Sequence, residues 1–139
     1  MIEHMHTRFK SFGVFPVTKE QYERYRSGGL WQQWLKDYPN IFDKDDQKVA
    51  QKNAHRGVGF YESLAAVLIY HTTGHLSLVD YYQYGTHVRK NGVFRKLVGS
   101  EVMDVVRQTR TYCPDLLVYK VDLSDWYFVE VKGHRIACE

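Results

Sequence analysis

The stretch PDLLVYKVDLSDWYFVEVKG, residues 114–133, constrains the fold more than any other part of the chain. Two runs rich in β-branched and aromatic residues, 116–121 and 126–131, flank the polar turn DLSD, and that pattern predicts a β-hairpin. Pro114 is compatible with it, because proline is tolerated at the first residue of a strand. Each run carries an acid. Asp115 opens the first, and Glu130 lies near the end of the second, two residues before Lys132. Side chains two apart on a strand share a face, so Glu130 and Lys132 project to one side while Val129 and Val131 project to the other. A simple ion pair accounts for both charges, but burying such a pair is costly unless it has a further partner or purpose. In a simple hairpin register Asp115 comes close to Glu130 or Lys132. Two carboxylates held close repel, and a divalent cation removes that repulsion. Oxygen ligands suit Mg2+, which binds phosphate oxygens and can lower the pKa of a bound water. Lys132 would then position that water or stabilise developing charge.

The remaining sequence predicts helices around this hairpin. A chain of 139 residues with 44% hydrophobic and 15% aromatic residues can bury one real core. A modest division falls near Gly57, giving a helical extension over 1–56 and a core over 57–139, together one compact domain. Thr18 with Gln21 three residues on reads as a capping box that starts a helix through about Arg26. LWQQWLKDY follows as a short amphipathic helix, and Asp43–Asp46 reads as the N-terminus of a third. Phe60, Leu64, Val67, Leu68 and His71 fall at helical spacing, with Gly74 as the stop. Glu62 sits near the first turn of that helix, where the dipole alone would favour a carboxylate. Residues 75–84 fit a strand or a short helix. VFRKLVGSEVMDVVRQTR reads as helical, with Ser100 an internal cap that divides it.

Charge and composition narrow the function classes. The chain is mildly basic, at +3 and a pI near 8.8, and residues 84–110 hold six basic and two acidic side chains, a local +4. That segment is either a solvated face or the footprint of a polyanion. No apolar run approaches the roughly 18–20 residues of a membrane span, and MIEHMHTRFK lacks the apolar core of a signal peptide. Cys113 and Cys138 suggest neither a disulfide framework nor a zinc site, so a cytoplasmic protein is expected. His71 and His75 have a spacing that suits zinc, but Gly74 intervenes and a structural role is expected for both. No glycine-rich phosphate loop or nucleophile elbow is present.

Pro114-Asp115 followed by Glu130-Val131-Lys132 on a second strand resembles the PD-(D/E)xK nuclease signature. More narrowly, GVGFYESLAAV, FRKLV, PDLLVY and WYFVEVKG resemble the VRR-NUC branch, the virus-type replication-repair nucleases, over roughly 57–133. The resemblance implies an α/β restriction-endonuclease-like core with a small mixed sheet flanked by helices. It also implies a Mg2+-dependent DNA endonuclease, with Mn2+ able to substitute, that acts on branched or flapped DNA in replication or repair, and a homodimer. Residue by residue, it implies that Glu62, Asp115, Glu130 and the Val131 carbonyl hold the metal and that Lys132 orients the attacking water. Arg89, Lys90, Arg95, Lys96 and Arg110 would then hold the DNA backbone without reading sequence. Members of that branch usually continue past the Glu-x-Lys strand with a helix and a further strand, whereas six residues follow Gly133 here. The alternative is a catalytically impaired DNA-binding or protein-interaction module of the same fold.

Overall fold

The computed structural model describes residues 8–80, 82–109 and 113–132. In chain order these form α1 (Lys19–Arg26), α2 (Gly29–Asp37), α3 (Lys44–Gln51), a 3-10 turn (Ala54–Arg56), α4 (Phe60–Thr73), β1 (Leu76–Val79), α5 (Val88–Val98), α6 (Ser100–Thr109), β2 (Leu116–Tyr119) and β3 (Trp126–Val129).

The local signals act where the sequence puts them. Thr18 accepts from the Gln21 N–H at 3.1 Å, and the Gln21 side chain accepts from the Thr18 N–H at 2.9 Å, closing the capping box of α1. Asp43 and Asp46 form the equivalent box on α3, both bonds at 2.9 Å. Gly74, at φ +77°, ends α4 in the left-handed conformation that glycine adopts without strain. The ambiguous 75–84 stretch resolves into β1 followed by turns, and Gly99 with Ser100 divides α5 from α6.

The three strands lie in the order β1-β2-β3, and both pairings are antiparallel. The expected mixed sheet is therefore corrected to an antiparallel one among the described strands. Its single parallel element is a bridge beside β3, where the Phe128 N–H donates to the Arg8 carbonyl at 2.7 Å and the Lys10 N–H donates to the Phe128 carbonyl at 3.1 Å. Strand β3 thus does not end the sheet with a bare ladder: residues 8–10 cover its outer edge, where an unpaired strand would invite further pairing. Strands β2 and β3 are shorter than the apolar runs predict. Lys120 and Val121 enter the turn, and the Val131 N–H leaves the ladder for the Asp115 carboxylate at 2.9 Å.

All of β1 and β2 and all of β3 but half-buried Trp126 are buried, so both faces of the sheet are covered. The core they enter is continuous with an aromatic cluster from the N-terminal helices. Tyr25 packs edge-on against Phe60, with ring centroids 5.4 Å apart, and Trp31, Trp34 and Phe42 close around it. Gly57, at φ +79°, admits the Tyr22 ring so closely that a β-carbon there would stand 2.5 Å from Tyr22 Cε1. No helix among the described residues is long and apolar enough to cross a membrane.

Candidate functional site

Four carboxylates at one end of the sheet are near enough to affect one another electrostatically. Strand register explains three of them. Val79 is paired with Leu116 across β1 and β2, so the next step along the ladder sets Asp80 opposite Asp115. The Asp80 N–H donates to the Asp115 carbonyl at 3.0 Å there. Leu116 is paired with Val129 across β2 and β3, so the same step sets Asp115 opposite Glu130. Directly opposed residues of antiparallel strands share a face with Cβ atoms roughly 4.5–5.5 Å apart. Asp80, Asp115 and Glu130 therefore occupy one row of backbone positions just past the ends of the three strands. Glu62, in the first turn of α4, is the fourth.

The acids affect one another's protonation. Burial raises Asp80 to about 7, helped by the charges of Glu62, Asp115 and Glu130 and opposed by Lys90. Burial also lifts Glu62 above the ordinary carboxylate range, and Asp115 adds to the shift. Glu130 rises through desolvation and then through Asp115, with Lys132 opposing. These shifts link the four groups electrostatically through space. Lys132 is exposed, and among the described residues no ion pair joins it to Glu130. The two charges expected on one face are not closed into a simple salt bridge.

The backbone that carries the row is pinned. Asp115 accepts from the Val131 N–H, tying the start of β2 to the segment after β3. The hydroxyl of fully buried Tyr82 donates to the Pro114 carbonyl at 2.6 Å, and Asn91 donates to the Tyr82 carbonyl at 3.0 Å. Asp80 itself stands at φ +48°, a left-handed conformation that Asp tolerates better than most residues. Beside it lies a cavity of about 90 Å3, whose walls include Asp46, Ser63, Val79, Asp80 and Lys90.

The basic side chains divide. Arg89 turns inward, donating from Nε to Asp43 at 2.5 Å and from Nη2 to Asp46 at 3.1 Å. Lys90 is only 6% exposed; its ammonium pairs with Asp46 and donates to the Val79 carbonyl at 2.7 Å. Both cations answer carboxylates from α3 and its cap; Lys90 is buried there, while Arg89 stays partly exposed. Arg95 and Lys96 are exposed. Arg110 lies outside the described residues. His71 meets the Tyr38 hydroxyl at 2.5 Å and His75 the Tyr127 hydroxyl at 3.1 Å, which gives both histidines packing partners.

The hairpin acids and Glu62 are residues the sequence singled out, and Asp115 interacts electrostatically with both Glu62 and Glu130. Asp80 was not singled out. Its signal is an acid directly after the apolar run LSLV, which mirrors the acid directly before LLVY, and it acquires meaning only once β1 and β2 are known to pair. As they stand, no three His, Cys, Asp or Glu side chains among the described residues are grouped to hold a metal ion. No family model, curated protein or solved structure matches this chain.

Proposed function

We propose that the protein is a metal-dependent DNA endonuclease of the restriction-endonuclease-like type, with the acid row as its centre. The observation that carries this reading is the alignment of Asp80, Asp115 and Glu130 across three strands, with Glu62 added from α4. Half-buried Glu62, Asp80 and Asp115 and exposed Glu130 interact so that the charge of one raises the proton affinity of another, an arrangement that a cation bound among them would relieve. The donors are all oxygen, which fits Mg2+ or Mn2+. Bound there, Mg2+ supplies Lewis acidity and a water of lowered pKa.

The chain's own residues do the rest. Asp115 and Glu130 would serve as principal ligands, with Asp80, Glu62 and the Val131 carbonyl adding to the set. The Val131 N–H fixes the Asp115 carboxylate and so orients the ligand. Lys132, exposed beside Glu130, orients the attacking water toward the phosphodiester or meets charge on its oxygens. Arg95 and Lys96 hold phosphates at a distance from the row; Lys96 lies six residues beyond Lys90 on α5, about 9 Å along the helix. The resemblance to the VRR-NUC branch supports branched or flapped DNA as the substrate class.

The test is cleavage of labelled single-stranded, duplex, flap and four-way-junction DNA with Mg2+, Mn2+ or EDTA, beside Asp115→Asn. Cleavage by the wild type with either metal, absent with EDTA and lost in the variant, is the expected result. Metal-independent binding to one of these DNAs without cleavage would replace the enzyme with the binding module.

A further inference from the structure

The structure assigns Lys90 a role that its place in a basic segment conceals: we propose that Lys90, held by Asp46, is a positioning residue that sets the Asp80 end of the acid row. The inference rests on the reading of that row as the metal-dependent centre.

Lys90 lies in the first turn of α5, ten residues after Asp80, and its side chain returns to the end of β1. Its ammonium accompanies the ladder out: it donates to the Val79 carbonyl at 2.7 Å and reaches the Asp80 carbonyl at 3.4 Å. Strand β1 ends there, and Asp80 adopts its left-handed backbone at the same point. A cation on two successive carbonyls fixes the direction in which the chain leaves the sheet, and thereby the place of the Asp80 carboxylate. An ammonium this buried needs an anion. Asp46, 7% exposed, supplies it from α3, and Arg89 and the Asp43 N–H hold Asp46 in turn. The chain of contacts runs from the cap of α3 through Asp46 and Lys90 to Asp80. It joins the N-terminal helical region to the acid row.

A purely structural role makes a different forecast. Replacing a buried ion pair by neutral residues often leaves stability unchanged or higher, whereas removing one partner is costly. The cavity of about 90 Å3 beside Lys90 leaves room for such a replacement. Lys90→Met alone should lower the melting temperature by stranding Asp46. The double variant Asp46→Asn, Lys90→Met removes both charges, keeps an acceptor for the Asp43 N–H, and should recover most of that loss.

The experiment measures melting temperature, Mn2+ affinity by electron paramagnetic resonance, and kcat and KM on the best DNA substrate for wild type and both variants. Affinity and kinetics are read at an equal interval below each protein's own melting temperature, so that each is folded. The proposal expects the double variant to regain stability while kcat falls on the order of tenfold to a hundredfold with KM little changed, and Mn2+ binding weakens several-fold. Recovery of kcat and Mn2+ affinity together with stability would overturn it and leave Lys90 a structural ion-pair partner. A wild type that binds Mn2+ but does not cleave would overturn the nuclease reading alone, and the affinity ratio would still decide the role of Lys90. A wild type that does neither would overturn both.

Discussion

Asp80 carries the largest electrostatic burden in the acid row. Its carboxyl titrates at about 7 in the folded chain, against an ordinary value of 3.8. Between those values the folded protein holds a proton that the unfolded chain releases, so the contribution of Asp80 to stability is full below about pH 4 and is lost as pH rises through 7. Glu62 and Glu130 are shifted in the same direction and add to the trend. Without divalent metal, the melting temperature should therefore fall between pH 5 and pH 8. Asp80→Asn should flatten that fall and melt higher than wild type at pH 8, because Asn tolerates φ +48° and carries no charge. Thermal melts of the two proteins across that pH range in EDTA check it; parallel curves would show that Asp80 does not carry the burden. The same residue shows where sequence reading stops. Asp115 and Glu130 were legible because an acid inside a predicted hairpin is conspicuous by itself. Asp80 follows a run that fits a strand or a helix equally well, and its partner lies 35 residues away in the chain.

At the level of elements, the helix boundaries are set by local chemistry and their energies by distant partners. Thr18 and Asp43 cap α1 and α3 with the same reciprocal geometry. Thr18→Ala removes an exposed cap and should cost about 1 kcal/mol. Asp43→Ala removes an equal cap and also the acceptor of Arg89 Nε, so it should cost roughly 2–3 kcal/mol. Urea denaturation of both variants measures the difference, and equal losses would mean that the Arg89 contact contributes nothing. Both caps were readable, because a capping box is a spacing of three residues. The arginine that makes the second one matter is 46 residues on, in a segment whose charge fits a solvated face or a polyanion footprint equally well. The hairpin was readable for the same local reason. The Arg8–Lys10 bridge on its outer edge was not, since nothing in those residues specifies a partner 118 positions away.

The whole molecule is held together across the boundary that composition places at Gly57. From the N-terminal side come Tyr25, Trp31, Trp34 and Phe42, all buried in the cluster that includes Phe60 and the sheet. Fully burying one large apolar side chain contributes about 1.5–3 kcal/mol, so the four together are of the same order as a domain's net stability of about 5–15 kcal/mol. The same region supplies Asp46 to Lys90 and Asp43 to Arg89, and both cations would be left without those carboxylates in its absence. A fragment of residues 57–139 should accordingly fail to melt cooperatively by circular dichroism and should bind a hydrophobic dye, although it contains Glu62, Asp80, Asp115, Glu130 and Lys132. The full chain under the same conditions should give a single transition. A cooperative melt from the fragment would show that the site-bearing part folds alone and that the helical region is an appendage. Its failure would mean that the acid row exists only because the N-terminal helices close the core behind it.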